Sequence, residues 1–309
     1  MTQQTLLLTG ATGFIGSHLL GKLLEQGYDV VVLKRSSSDI WRIQHLADQV
    51  RMYDVDTQPV SEVFESEKID VVIHMATLYR KFDNGNEVSE MLASNVTFPT
   101  EILEAGARNG IKGFINTGTF FEYDCSRQPV DENAPIVPFN FYAKTKLAFE
   151  TVLKTHSDTM MVNTFRLFSP YGEKDNQKLV PMIIQKALKG EAIELSEGLQ
   201  KIDLIYVEDI VSGYMKAVER ILSDTFQPEY EVFNLGSGVA LSIRDVVSIV
   251  EQKIGKPLKK TWGEASEVDI PIAYADITKL ARILHWKPEY TASQGIENTV
   301  NFYQKEGMK

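Results

Sequence analysis

Apolar positions along this chain fall into two rhythms. Short runs that are apolar at nearly every position, Leu6-Leu7-Leu8 and then 28–33, 49–53, 69–74, 113–117 and 160–167, read as strands. Between them lie stretches whose apolar positions recur with helical spacing, most clearly 88–109 and 141–156. Strands without polar alternation are covered on both faces, and strands separated by helices pair in parallel. The pattern therefore predicts an α/β fold with a doubly wound parallel sheet. From 170 to 197 the rhythm breaks. A strand at 203–207, a helix at 211–222 and a strand with its turn at 233–236 restore part of it. The expected division is a first domain of 1–167 plus about 204–235, and a smaller C-terminal lobe of about 168–203 and 236–309. No repeat, low-complexity tract or linker interrupts the chain.

The first apolar run opens directly into Thr9-Gly10-Ala11-Thr12-Gly13-Phe14-Ile15-Gly16, followed by a helical stretch. Strand, glycine turn and helix in that order form the opening of a βαβ unit that binds a dinucleotide. Gly10 permits the tight turn, Gly13 lets backbone approach a pyrophosphate, and Gly16 lets the helix pack closely while its N–H groups face the phosphates. Gly10, Thr12, Gly13, Phe14, Ile15 and Gly16 are the candidate cofactor residues here. Glycines also serve ordinary loops; the flanking strand and helix are what favour the dinucleotide.

At the end of the second run stands Leu33-Lys34-Arg35-Ser36-Ser37-Ser38. An NAD site would carry an acidic residue about here for the ribose hydroxyls. Two cations and three hydroxyls suit a 2′-phosphate instead, which a guanidinium grips bidentately. NADP(H) is therefore favoured over NAD(H), with Lys34, Arg35 and Ser36 in contact. A solvated basic turn is the bland alternative.

Composition narrows the partners. A net charge of −10 argues against nucleic acid, and the single cysteine, Cys125, excludes an internal disulfide or a cysteine metal cluster. No metal is expected. The first residues lack a basic leader and no apolar run has membrane-span length, so a cytoplasmic enzyme without membrane contact is expected. The chemistry signal is Tyr142-Ala143-Lys144-Thr145-Lys146: Tyr142 and Lys146 share a helix face four residues apart. A phenol is too weak an acid for exchange at neutral pH, and an adjacent ammonium is expected to pull it down. Ile115-Asn116-Thr117-Gly118-Thr119 brings hydroxyls to a C-terminal strand tip, where doubly wound sheets hold ligands.

With these residues in hand, the chain resembles, over essentially its whole length, the extended short-chain dehydrogenase/reductases of the nucleotide-sugar epimerase/dehydratase/reductase group. The matched motifs are TGATGFIG, Val72-Ile73-His74-Met75-Ala76, the strand tip ending at Thr119, the Tyr142/Lys146 pair, and Arg166-Leu167-Phe168-Ser169-Pro170-Tyr171-Gly172. Tyr206-Val207-Glu208-Asp209, Asn234-Leu235-Gly236-Ser237-Gly238 and Trp286-Lys287-Pro288 complete the set. The resemblance implies a Rossmann domain with a smaller substrate-binding lobe. It implies that Thr119 hydrogen-bonds the reacting sugar oxygen, that Tyr142 is the acid/base, and that Lys146 is its electrostatic partner and reaches the nicotinamide ribose. It puts Asp54 and Val55 at the adenine, Met75, Ala76 and Thr77 along the pyrophosphate and ribose, and Asn95 at the opening of the helix behind the nicotinamide. Thr117, Phe168 and Ser169 complete the implied cofactor contacts. Tyr79, Thr119, Phe120, Phe121, Ser169 and Lys178 are the implied substrate contacts. Asp54 could instead cap a turn, Asn95 could be a buried helix polar, and His74 reads as structural.

Departures from the family pattern narrow the chemistry. Related 4,6-dehydratases place Asp-Glu directly after the catalytic Thr, whereas Thr119 is followed by Phe120 and Phe121. The stretch is more similar to the CDP-paratose/abequose synthase type, which implies NADPH-dependent reduction of a nucleotide-linked 4-keto-6-deoxysugar in deoxysugar biosynthesis. An NAD-dependent UDP-hexose 4-epimerase, a non-catalytic dinucleotide-binding protein and a reductase of small non-sugar carbonyls are the competing readings. Two arginines that grip the diphosphate in relatives are missing, one at Ile202 and one around 264–268; Lys201, Lys178, Arg244 or Arg282 are the substitutes at hand. The resemblance also implies a homodimer through a four-helix bundle. Met91, Leu92, Phe98, Leu147, Phe149 and Leu153 are candidates for that surface, or equally for packing on the sheet.

Overall fold

A computed structural model describes residues 3–80, 87–175, 178–223, 227–265 and 270–306. The first half runs β1 (Thr5–Thr9), α1 (Phe14–Glu25), β2 (Asp29–Lys34), β3 (Arg51–Asp54), α2 (Val60–Ser66), β4 (Val71–His74), α3 (Val88–Leu92), α4 (Phe98–Arg108), β5 (Gly113–Thr119), α5 (Phe141–Lys154) and β6 (Met161–Leu167). There follow β7 (Ser169–Tyr171), α6 (Leu179–Lys189), β8 (Ile193–Leu195), β9 (Lys201–Tyr206), α7 (Val207–Ile221) and β10 (Glu229–Leu235). The chain ends with β11 (Ala240–Ser242), α8 (Ile243–Ile254), β12 (Lys260–Trp262), β13 (Ile272–Ala273), α9 (Thr278–Leu284) and α10 (Ala292–Glu306). Strand and helix ends fall within a few residues of the expected ones.

Contacts group the chain into two units. One comprises Met1–Asp124, Pro135–Leu167 and Val211–Phe233; the other comprises Cys125–Ala134, Phe168–Ile210 and Asn234–Lys309. In the first, seven strands lie in the order β10-β6-β5-β4-β1-β2-β3, and β1 to β6 pair in parallel. Leu6, Leu7 and Leu8 are all fully buried, as a strand covered on both faces requires. One face packs Leu7, Val72 and Phe114 against Ile102 of α4 and Phe149 and Leu153 of α5. On α7, Tyr214 meets Phe165 of β6, with ring centroids 4.8 Å apart.

The second unit is organised around β9. It pairs in parallel with β7 and β13 and antiparallel with β11, while β8 and β12 form a separate parallel pair. Buried Asp203 on β9 ties the unit together by accepting from the Ser237 N–H and hydroxyl at 2.6 Å each, and from the Gly238 and Ala275 N–H groups at 3.0 Å.

Three differences from the sequence expectation have local causes. The helix expected at 88–109 is interrupted by a π-helical turn, Ala93–Thr97, with Pro99 in the first turn of α4. The start of α7 is Val207 rather than 211, and Glu208 and Asp209 suit the positive N-terminal end of the helix dipole. Finally, 125–134 and 204–210 group with the second unit. Val130 bridges to Ala275, and its N–H donates to the Tyr274 carbonyl at 2.9 Å, which secures the first piece. The second is the end of β9 and the start of α7.

Candidate active site

The glycine turn is built as its sequence requires. Gly10 has φ +71°, and a Cβ there would lie 2.7 Å from the Ala76 nitrogen and 2.8 Å from the Met75 carbonyl carbon. A Cβ on Gly16 would collide with the Gly10 carbonyl. The Gly13 N–H donates to the Gly10 carbonyl at 2.9 Å, and Gly13 caps α1 without any side-chain acceptor. The first-turn N–H groups of α1, from Phe14 and Ile15 onward, therefore open onto the turn beside Thr12. The Phe14 side chain itself is buried edge-on to His18, so only its backbone faces a ligand.

Behind this turn, Thr9 locks β1 to the end of β4. Its hydroxyl accepts from the Met75 and Ala76 N–H groups, both at 3.1 Å, and so has its one proton to donate to His74 Nδ1 at 2.9 Å. His74 is thus the neutral Nε2–H tautomer. Burial and the Lys146 charge hold it well below its ordinary pKa, which suits a structural residue. Thr117 is likewise occupied, giving its proton to the His74 carbonyl at 2.8 Å and accepting from the Tyr214 hydroxyl at 2.7 Å.

At the adenosine end, the two expected cations differ. Lys34 Nζ lies 3.7 Å from Asp54 and 3.4 Å from the Arg35 carbonyl, so its charge is balanced. Asp54 also accepts from the Ser36 hydroxyl at 2.7 Å and the Asp56 N–H at 3.1 Å. Chiefly the Ser36 hydrogen bond holds its carboxyl below the usual carboxylate range. Asp54 is thus a turn organiser, with Val55 N–H returning to the Lys34 carbonyl at 2.9 Å. Among the described residues, no acceptor takes the exposed Arg35 guanidinium. A second guanidinium, which sequence reasoning passed over, reaches the glycine turn. Arg42 stacks 4.5 Å over Trp41 and donates to the Thr12 carbonyl at 3.3 Å. The only signal for it was an aromatic–cation pair in the loop after β2.

Asn95, expected at the opening of a helix, instead sits fully buried inside the π-helical turn. Its Oδ1 accepts from the Leu78 N–H at 2.8 Å and the Thr77 hydroxyl at 3.1 Å, while Nδ2 donates to the Leu78 carbonyl at 2.9 Å and the Thr145 hydroxyl at 3.0 Å. The loop after β4 is thereby tied to α5, placing Tyr79 edge-on to Tyr142 with centroids 4.9 Å apart.

Tyr142, Thr145 and Lys146 are all buried in the first turns of α5, which Asn140 caps by accepting the Ala143 N–H at 2.9 Å. Burial pushes the Tyr142 phenol well up, the Thr77 hydroxyl pulls it partly back, and Glu122 and Tyr79 push it further up. The expectation that Lys146 would draw the phenol down is corrected here. Desolvation of a buried phenolate outweighs the ammonium, which itself faces Glu122 and Glu150 and is brought down to about 8 by burial. Thr119 ends β5 as a cap: its hydroxyl accepts from the Phe121 N–H at 3.3 Å. Phe121 packs against Phe120 with the rings tilted, centroids 4.3 Å apart, and stacks on Phe139 at 5.5 Å. Phe139, half exposed, is a second site neighbour the sequence did not announce.

The remaining candidates lie in the second unit. The N–H of buried Phe168 donates to the Leu235 carbonyl at 3.0 Å, Ser169 opens β7, and exposed Lys178 stands immediately before α6. Of the cations considered as phosphate grips, Arg244 donates to the Glu197 carbonyl at 2.8 Å and stacks 4.9 Å over Trp262. Lys201 and Arg282 are exposed, and 266–269 lies outside the described residues.

Comparison with known proteins follows the same lines. Residues 6–236 match the model of the NAD dependent epimerase/dehydratase family. The chain belongs to this family. CDP-abequose synthase from Salmonella muenchen is 29% identical over 96% of this chain and 97% of that protein. UDP-glucose 4-epimerase from Bacillus subtilis (strain 168) is 28% identical over 94% and 93%. A UDP-glucuronic acid 4-epimerase from Bacillus cereus, solved in complex with UDP-glucuronic acid and NAD, matches with a TM-score of 0.88 and 25% identity, covering 98% of this chain and 100% of that one. The residues fit the family's dinucleotide: Gly10 and Gly16 permit backbone packing too close for any Cβ, and the turn they form ends at the start of α1, whose first N–H groups no side chain caps.

Proposed function

We propose that this protein reduces a nucleotide-linked 4-keto-6-deoxysugar to the 4-hydroxy sugar with NADPH. The observation that carries this reading is the buried Tyr142 hydroxyl, one turn from buried Lys146 on α5 and edge-on to Tyr79, a proton donor for a sugar oxygen. The cofactor, when bound along the glycine turn with its adenosine end toward Arg35 and Arg42, supplies the hydride. The Thr119 hydroxyl hydrogen-bonds the sugar C4 oxygen. Tyr142 donates its proton to that oxygen as it becomes a hydroxyl, and Lys146 stabilises the phenolate left behind until water reprotonates it. Phe120 and Phe121 offer neither acid nor base for eliminating water, which argues against a dehydratase. Their adjoining rings and Tyr79 suit the apolar face of a deoxysugar. A cytoplasmic homodimer remains part of this reading. Its surface would be smaller than expected: Met91, Phe149 and Leu153 are core residues, whereas Leu92 is 42% exposed and Phe98 and Leu147 are half-buried.

A second reading, a UDP-hexose 4-epimerase with tightly held NAD, is favoured by Asp54. It puts an acidic group at the basic turn and neutralises Lys34. Fluorescence titration separates the two on protein first checked for retained cofactor. Selective, reversible NADPH binding, followed by oxidation of NADPH on adding a CDP-linked 4-keto-6-deoxysugar, is expected. Stoichiometric bound NAD and interconversion of UDP-hexoses would replace the first reading by the second.

A further inference from the structure

A run of apolar residues in the first unit faces solvent, and the packing of the sheet does not account for it. Ile136, Val137 and Phe139 are between 41% and 57% exposed. Contiguous apolar exposure, unlike single exposed side chains, marks a binding surface. Segment 135–139 lies antiparallel beside 121–124. Tyr123 bridges Ile136, and the N–H groups of Asp124, Val137 and Phe139 donate to the Pro135, Glu122 and Phe121 carbonyls at 2.8, 3.0 and 2.8 Å. This pairing sets Phe139 beside Phe121, and the two rings stack with centroids 5.5 Å apart and planes 23° from parallel.

The capping of α5 does not explain Phe139 either. It stands immediately before the Asn140 cap, the place from which an apolar residue packs on the fourth residue of a helix. That fourth residue is Lys144, which is exposed, and Phe139 meets Phe121 instead. The pair thereby joins the two elements that carry the candidate catalytic hydroxyls. Phe121 lies two residues after Thr119 and donates its N–H to the Thr119 hydroxyl at 3.3 Å, and Phe139 lies three residues before Tyr142.

The chemistry of the sugar says which group this pair meets. With the C4 oxygen held by Thr119 and Tyr142, the nearest substituents are those on C3 and C5, and the carbon on C5 is C6. A C6 methyl gains by leaving water for an aromatic surface. A C6 hydroxyl gives up its hydrogen bonds to water there, and the rings of Phe121 and Phe139 carry no oxygen or nitrogen to replace them. We propose that Phe139 is a specificity-determining residue: stacked on Phe121 beside Thr119, it takes the C6 methyl of a 6-deoxysugar and discriminates against a hexose that keeps its C6 hydroxyl. This inference rests on the reading that Thr119 and Tyr142 hold the C4 oxygen. It applies to reduction and to epimerisation alike.

The test is a ratio of affinities, in which the share of the nucleotide carrier cancels. Calorimetry compares CDP-6-deoxyglucose with CDP-glucose, and the same pair in the galactose configuration, with whichever reduced cofactor the protein binds present. A reduced cofactor leaves these 4-hydroxy sugars nothing to react with. The unaltered protein is expected to bind the 6-deoxysugar on the order of tenfold more tightly. Phe139→Ser, at an exposed position and checked for an unchanged circular dichroism spectrum, should lower that ratio roughly threefold or more. Phe139→Leu keeps an apolar surface and should retain most of it. A ratio near one in the unaltered protein overturns the proposal, as does a ratio that Phe139→Ser leaves as it was. No turnover of any 4-ketosugar, with the ratio present and reduced by Phe139→Ser, would refute the reductase reading and still support this one. Binding of neither sugar nucleotide would overturn both.

Discussion

At the scale of single residues, Tyr142 and Lys146 have opposite relations to burial. Burial stabilises the neutral form of each, so the phenol holds its proton and the ammonium loses its own more readily, near pH 8. Activity that needs the Lys146 ammonium is therefore full below about pH 8 and falls as pH rises through it. A kcat profile flat to pH 10 would take Lys146 out of the chemistry. Tyr142→Phe removes the proton donor while leaving the glycine turn untouched. Turnover should drop by roughly 10²–10⁴-fold with cofactor affinity nearly unchanged, as rate and titration measurements would reveal. The pair itself was legible because it lies within one helical turn. Its electrostatics were not, because Glu122 acts on both from the short turn after β5, and no local spacing announces it.

At the scale of elements, the βαβ opening was legible because each glycine answers to a steric demand within a few residues of it. What escaped were devices built across distance. The break in 88–109 is one: the Asn95 amide holds the backbone of Leu78, and the helix yields a π-helical turn to accommodate it. The loop after β2 is another. The basic turn there looked like two cations facing a phosphate, yet Lys34 is balanced by Asp54, and Arg42 arrives from further along. Arg35 and Arg42 are thus the groups expected to discriminate the 2′-phosphate. Each charge-assisted hydrogen bond is worth about 1.5–3 kcal/mol, or roughly tenfold or more in affinity. Arg35→Asp should weaken NADPH by at least that factor and leave NADH little changed; Arg42→Ala should do so more mildly. Equal losses for both cofactors would remove the 2′-phosphate from this turn.

At the scale of the whole molecule, the two units are not two halves of the chain. Six segments alternate between them, so the backbone passes from one to the other at 124/125, 134/135, 167/168, 210/211 and 233/234. Two of those passages are continuous elements: α7 begins in the second unit and continues in the first, and β10 does the reverse. An unfolded first unit would leave the second with long open loops where it now has fixed strand and helix ends, at a cost in chain entropy. Unfolding is therefore expected to be one transition. The tryptophans allow a direct check, since Trp41 belongs to the first unit and Trp262 and Trp286 to the second. In a Trp41→Phe background, fluorescence reports the second unit alone. Phe149→Ala empties a fully buried position in the core of the first unit and should cost about 3–5 kcal/mol. If the units fold as one, that change lowers the urea midpoint seen by Trp262 and Trp286 as much as the midpoint seen by circular dichroism. A fluorescence midpoint that stays put while the other moves would mean that each unit stands by itself, and that the shared elements transmit no stability.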